Sequence, residues 1–230
     1  NGGLHQAVEA KEGLETTKAR RTSTRISYAR FFQQYRHIAG MSGTLREVSN
    51  ELWRTYGLTV IRVPTHRPVI RIEKTDVVFK TEASKLSAVV DRVCQVHQTG
   101  QPVLVGTRSV LTSEEIGRML NERGVTCRIL NAEREREEAS IVELAGKVGA
   151  VTVATNMAGR GTDIKLDPKS KELGGLCVIG TERHSERRVD RQLFGRAGRQ
   201  GDPGEAQMYV SLEDQLVKAT GLPPLIWLAN

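Results

Sequence analysis

Aromatic residues are scarce in this 230-residue sequence, at 4% of the chain, and Phe31, Phe32, Tyr35, Trp53 and Tyr56 are concentrated in its first segment at core-like spacing. That leaves poor support for a platform on which successive nucleic-acid bases could stack. Cysteine is also rare: Cys94, Cys127 and Cys177 lie far apart with no C-x-x-C pair. They form neither a zinc signature nor a disulfide framework, and they read as three buried thiols of a reducing compartment. His5, His37, His66, His97 and His184 are scattered likewise and suggest no metal. No apolar run approaches the roughly 18 residues that a membrane helix needs. The sequence does not open on a charged-then-apolar-then-small export signal, and its first residue is Asn1, so the expectation is a piece of a longer chain or a processed end.

Two further absences concern phosphate chemistry. The loop G-x-x-x-x-G-K-[ST], which cradles nucleotide phosphates, does not occur. The nearest stretch, AGKVG at 145 to 149, lacks the first glycine and the hydroxyl. No Asp-Glu pair closes an apolar strand to hold magnesium. What the chain does have is a 38% apolar content, sufficient for a buried core, and a formal net charge of +7 with a pI near 9.5. That balance suits an anionic partner, whether nucleic acid, nucleotide phosphate or an acidic membrane surface, and composition does not choose among them.

From Thr75 onward, short β-rich runs alternate with runs of helical period: TDVVF, EASKLSAVVDRVCQVHQT, PVLVGT, SVLTSEEIGRMLNERG, CRIL, EREREEASIVELAG and AVTVAT. Leu86, Val89, Val90, Val93 and Val96 recur at the three-to-four spacing of one buried helix face. Gly100 and Gly124 fall just past helix ends, where a left-handed cap favours glycine. The strand LCVIGT, a basic helix and the strand AQMYVS complete the series. The pattern predicts an α/β fold with a mostly parallel sheet and helices on both faces. The first 64 residues instead carry two helical patterns, SYARFFQQYRHIAG and REVSNELWRTYG, around the turn GMSGT. Too few strands remain there for a separate sheet, so residues 1–64 read as the trailing part of a neighbouring domain. Residues 65–217 read as one α/β domain, and 218–230 as an apolar tail with a Pro-Pro stop.

In open α/β sheets, ligands sit at the carboxyl ends of the strands, which directs attention to NMAGRGTDI after AVTVAT. Gly159 and Gly161 allow close backbone approach, Arg160 supplies charge, and Thr162 and Asp163 supply oxygens. The same residues read equally as a glycine-bearing turn whose Asp163 caps the next segment. A second stretch, QLFGRAGRQGDPG, sets Arg196 and Arg199 three apart, each after a glycine. Guanidinium forks match phosphate oxygens and stay charged at physiological pH. Arg183, Arg187 and Arg191 read instead as partners of Glu182, Glu186 and Asp190 on a solvated helix face, whereas Arg196 and Arg199 have no carboxylate within helical reach before Asp202.

The run Gln192, Gly195, Arg196 and Arg199 resembles the last motif of superfamily 2 helicase-type motors, in which two RecA-like domains sandwich ATP. More narrowly, LHQAVEAKEG, AGMSGT, VPTHRP, GQPVLVGTRS, ATNMAGRGTDI, GGLCVIGTERHSERRVDRQL and GRAGRQGDPG resemble, in order, the SecA family of bacterial preprotein-translocation ATPases. The resemblance implies a RecA-like, P-loop NTPase-type second motor domain after the end of the first. It implies ATP with Mg2+ as cofactor, the phosphate loop and magnesium carboxylates belonging to the first domain. Asp163 would contact nucleotide, with Arg160, Gly161 and Thr162 beside it and Gln192 near, and Arg196 and Arg199 would be arginine fingers. Gly43 and Thr44, in MSGT where the family has MTGT, would couple the domains.

The implied partners are the first nucleotide-binding domain in cis, a translocon channel, unfolded preprotein and an acidic membrane surface, with nucleic acid disfavoured. The implied location is the cytoplasm and the inner face of the bacterial plasma membrane. The chain departs from the family at Phe194, where arginine is usual, at Glu205, Ala206 and Gln207 in place of a Ser-Ser-Arg-like run, and at its end, KATGLPPLIWLAN. Two other readings stand beside this one: the carboxyl-terminal domain of a nucleic-acid helicase, and a catalytically silent interaction domain.

Overall fold

The computed structural model of the chain describes residues 4–17, 25–130, 138–155 and 162–219. The chain divides into two compact units, one of residues 1–41 and 48–60, the other of 42–47 and 61–230.

Within the first unit lie α1 (Leu4–Lys11), α2 (Tyr28–Phe32) and α3 (Ser49–Tyr56). The side chain of Ser27 caps α2 by accepting from the Arg30 amide, and α3 ends on Gly57 at φ 67°. The predicted helix over SYARFFQQYRHIAG is therefore much shorter than its pattern. The expectation that its aromatic spacing marks a core also fails. Phe31, Phe32, Tyr35 and Trp53 are 41 to 62% exposed, and Phe31 and Tyr35 meet edge to face with centroids 5.7 Å apart. Among the described residues of this unit, the three short helices offer no opposing layer to bury those rings.

In the second unit the chain forms β1 (Ile72–Glu73), β2 (Val77–Phe79), α4 (Glu82–Gln98), β3 (Val103–Thr107), α5 (Val110–Glu122), β4 (Arg128–Leu130), α6 (Glu138–Leu144), β5 (Val151–Thr155), α7 (Pro168–Glu172), β6 (Leu176–Gly180), α8 (Arg187–Phe194), β7 (Gly204–Ser211) and α9 (Gln215–Ala219). The strands make a seven-stranded sheet in the order β1-β7-β6-β3-β5-β4, with β2 also on β7, and every pairing is parallel. β1 and β2 take successive stretches of the same side of β7, opposite Glu205–Ala206 and Tyr209–Ser211.

β3, β5 and β6 are buried along their whole length, which explains why VLVGT, VTVAT and LCVIG read as continuous apolar runs. Alternate residues serve opposite faces. Val103, Val105, Val151, Val153, Cys177 and Ile179 join one core with Leu86, Val89, Val90, Val93 and Val96 of α4 and Ile116 and Leu120 of α5. Leu104, Ala154, Leu176 and Val178 join the other with Ile141 and Val142 of α6 and Leu193 and Phe194 of α8. The parallel α/β sheet with helices on both faces is thus as the alternation predicts.

Thr81 and Ser109 cap α4 and α5 through their hydroxyls, and Gly100 and Gly124 follow those helices at φ 79° and 75°. The first five residues of EREREEASIVELAG and the last eleven residues of the chain lie outside the described residues. Of the three cysteines only Cys177 is buried, Cys94 and Cys127 being half-buried.

Candidate functional site

The two predicted motifs meet. Arg196 Nη1 donates to the Thr162 carbonyl at 3.5 Å, and Arg199 Nη1 donates to the same carbonyl at 3.3 Å and to Asp163 Oδ1 at 2.8 Å. Two like charges are thereby held around one acceptor, an arrangement that suits a third, anionic body between them. Arg199 thus has a carboxylate partner after all, contributed by the loop after β5. The neighbouring Arg160 and Gly161 lie outside the described residues, and Gln192 is half-buried on α8. Asp163 caps no helix: α7 has Asp167 at its N-cap, and the Asp163 side chain is 50% exposed.

Each half of the site has a local reason for its position. On one side, Ile164 is buried in the second core, directly after Asp163. A Cβ on Gly146 would stand 2.0 Å from the Lys165 carbonyl oxygen, so only glycine at 146 lets the 164–167 segment lie against the end of α6. On the other side, Leu193 and Phe194 bury one face of α8 while Arg187, Arg188 and Arg191 stay exposed. The chain then turns through Gly198 at φ 68°, Gln200 at 56° and Gly201 at 77°. This arginine segment precedes β7 rather than following a strand, so the rule that sites lie just after strands locates Asp163 but not the arginines.

Two residues that the sequence did not single out as site residues support this turn. Arg71 Nη1 donates to the Ala197 carbonyl at 3.1 Å, and Arg67 Nη1 donates to the Gln200 carbonyl at 3.3 Å. Arg67 belongs to VPTHRP, quoted above for resemblance alone, and Arg71 lies three residues past its end. Asp190, buried on α8, accepts from the His184 amide at 3.1 Å, from His184 Nδ1 at 2.9 Å and from Arg183 Nη1 at 3.1 Å. Burial by itself would raise the Asp190 pKa, but the hydrogen bonds from His184 and Arg183 outweigh it and hold the carboxyl below its ordinary value.

Arg183 also grips Asp76 with two nitrogens, at 2.6 and 3.0 Å, and stands 5.8 Å from the centre of the Phe194 ring. The expected pairing of Arg183, Arg187 and Arg191 with Glu182, Glu186 and Asp190 on a solvated face is therefore largely replaced. Arg183 takes Asp76 as well as a buried Asp190, Arg191 takes Glu47, Glu186 takes Arg188, and Glu182 takes Arg108. Three of these pairs, Arg183–Asp76, Arg191–Glu47 and Arg108–Glu182, join residues distant in sequence, which local charge spacing does not reveal.

Two of the three departures acquire physical accounts. Phe194 is 7% exposed and packs in the second core beneath Arg183. Glu205 is paired with Lys74 and Arg92 and accepts from the Cys177 thiol at 3.1 Å. The turn bearing Gly43 and Thr44 is stabilised by the Ser42 hydroxyl, which accepts from the Thr44 amide at 3.3 Å. Of its segment, Glu47 reaches α8 through Arg191. Among the described residues no group of three or more His, Cys, Asp and Glu is placed to hold a metal ion, and no helix is long and apolar enough to cross a membrane.

With this geometry in place, comparison with known proteins is decisive about family. The model of the SecA P-loop domain matches residues 68–172 and 167–223, and that of the SecA DEAD-like domain matches residues 3–53. The chain belongs to the SecA family. The protein translocase subunit SecA of Caldicellulosiruptor saccharolyticus is 53% identical over 219 residues, covering 95% of this chain and 26% of that protein. SecA of Thermosipho africanus is 50% identical over 221 residues, covering 96% of the chain and 26% of its own length. The chain therefore spans about a quarter of the length of these SecA relatives. Among solved structures, the Escherichia coli DEAD-box protein SrmB bound to regulator of ribonuclease activity A superposes with a TM-score of 0.53, over 64% of this chain and 82% of that one. At 21% identity it bears on the fold alone, which is that of a DEAD-box RecA-like domain.

Proposed function

We propose that the chain supplies the second half of the ATP site of a SecA-type motor that drives preproteins across a membrane. The observation that carries this reading is the convergence of Arg196 and Arg199 on Thr162 beside Asp163. In it, Arg196 and Arg199 are arginine fingers that stabilise charge on the transferring phosphoryl group, Asp163 contacts the nucleotide, and Arg160, Gly161, Thr162 and Gln192 complete the surface. Residues 1–64 form the end of the first nucleotide-binding domain, 65–217 the second, and 218–230 a tail. Gly43 and Thr44 couple the two domains.

ATP carries the phosphoryl group whose transfer drives the motor, and magnesium is assigned, with the phosphate loop, to the first domain. This chain's own residues bind and orient: the guanidinium groups meet developing negative charge, and the buried face of α8 anchors the segment that bears them. Nucleotide that binds the closed pair of domains better than the open pair shifts the equilibrium between them. A translocon channel, unfolded preprotein and an acidic membrane surface are the partners, at the cytoplasmic face of the bacterial plasma membrane. The 230-residue chain alone is expected to bind nucleotide weakly and hydrolyse it hardly at all.

The test is a chimera in which this chain replaces the matching quarter of the Caldicellulosiruptor saccharolyticus relative. Arg196→Ala and Arg199→Ala should each lower kcat by about 10² or more, arginine fingers contributing about 10³ to 10⁵, with a smaller change in KM. Variants that hydrolyse ATP and translocate preprotein at the unmutated rate would overturn the assignment.

A further inference from the structure

Arg199 is engaged within its own domain. Its Nη1 donates to Asp163 Oδ1 at 2.8 Å and to the Thr162 carbonyl at 3.3 Å, while its Nε donates to the Gly195 carbonyl at 2.8 Å. The pair remains accessible, with side chains 38% and 50% exposed. A guanidinium presents its donors in a fixed fork, so a fork that faces a carboxylate turns fewer of them toward a phosphate. The Arg199–Asp163 pair also carries no net charge. A phosphate arriving beside it meets a neutral couple until the arginine changes partner.

We infer that Asp163 is a positioning residue that holds Arg199 at rest, and that a phosphate-bearing ligand takes the guanidinium from it. This rests on the reading of Arg196 and Arg199 as phosphate-binding residues and adds to Asp163 a role other than contact with nucleotide. The exchange is one of like for like: an N–H donor leaves a carboxylate oxygen and meets a phosphate oxygen, the pair swapping one charge-assisted hydrogen bond for another. Its equilibrium is easily tipped, because exposed ion pairs contribute little and the restraint is worth no more than about fivefold in affinity. The Nε bond to Gly195 need not break. It keeps the guanidinium near the end of α8 in both positions, so Arg199 pivots about that bond. Arg196 reaches the same Thr162 carbonyl, at 3.5 Å.

The experiment titrates the 230-residue chain with pyrophosphate and measures affinity for the unmutated chain, Asp163→Asn, Arg199→Ala, the double variant and Arg196→Ala, each first checked for folding by its thermal melt. The expected result is that Asp163→Asn tightens pyrophosphate by up to about fivefold, and that the same change in the Arg199→Ala background has no effect. Tightening of the same size in both backgrounds would mean that Asp163 merely repels the anion, and no tightening in either would mean that it holds nothing; both overturn the proposal.

Rotation of the Arg199 guanidinium, followed by NMR without ligand, tests the restraint separately. It should be slow in the unmutated chain and fast in Asp163→Asn, and equal rates would contradict the inference. If pyrophosphate binds equally to the unmutated, Arg196→Ala and Arg199→Ala chains, the phosphate reading fails, and the transfer of Arg199 to phosphate fails with it. The NMR result would then show whether Asp163 restrains Arg199 all the same.

Discussion

Lys85 and Asp214 meet inside the second unit, Nζ to Oδ1 at 2.5 Å, with side chains only 2% and 3% exposed. Lys85 lies in the first turn of α4, between the cap and the apolar face that the helix buries, and Asp214 follows β7. Asp214 further accepts from the Ser211 amide at 2.9 Å and the Ser211 hydroxyl at 2.7 Å. The pair joins an early element of the domain to a late one. Lys85→Met should therefore cost about 3–5 kcal/mol, because it leaves a buried carboxylate without its cation. Replacing both residues by apolar ones should cost much less. Denaturant midpoints of the two variants check this, and equal losses would contradict it.

Gly198 holds φ 68°, and a Cβ there would fall 2.6 Å from Arg71 Cβ. Gly124 has a similar φ of 75° but open space around it. Gly124→Ala should cost about 1–2 kcal/mol, the ordinary penalty of the left-handed region, and Gly198→Ala should cost more and also weaken pyrophosphate binding by displacing the arginine turn. Thermal melts and one titration compare them.

Asp190 makes stability depend on acid pH. Its folded pKa lies below the unfolded value of about 3.9, so its contribution is present above that value and is lost as pH falls through the folded pKa. Glu205, also lowered, acts with the same sign. Between about pH 5 and pH 2 the unmutated chain should lose more stability than Asp190→Asn, whose curve should be flatter. Parallel curves would show that the hydrogen bonds from His184 and Arg183 favour neither protonation state.

Burial, and then the neighbouring Glu205 carboxylate, push the Cys177 thiol far above the usual thiol range. Iodoacetamide at pH 8 should leave Cys177 unmodified in the folded chain and label it on denaturation, since the thiolate is the reactive form. Labelling of folded protein at the rate of a free thiol, located by peptide mapping, would refute this.

The sheet was legible because each central strand is flanked by helices on both faces, which makes VLVGT, VTVAT and LCVIG continuous apolar runs, while Leu86 to Val96 repeat at helical spacing. β1 was missed: two residues opposite Glu205 and Ala206 show no period of their own and exist through pairing with β7. The first segment misled for the converse reason. Aromatic spacing on a short helix is the same whether or not anything covers it, and Phe31 and Phe32 remain exposed.

By itself the sequence determined the parallel α/β architecture and marked Asp163, Arg196 and Arg199, because residue type, strand-to-loop order and the glycine before each arginine are local properties. Tertiary structure decided which charge meets which. Asp163 and Arg199 are 36 positions apart, Lys85 and Asp214 are 129, and Asp76 and Arg183 are 107. Local charge spacing says nothing about such pairs, since an ion pair depends on distance in space and on the water removed around it. That is why a helix that reads as a self-paired solvated face instead ties α8 to the start of β2, and why Arg199 comes to rest on a carboxylate from another loop.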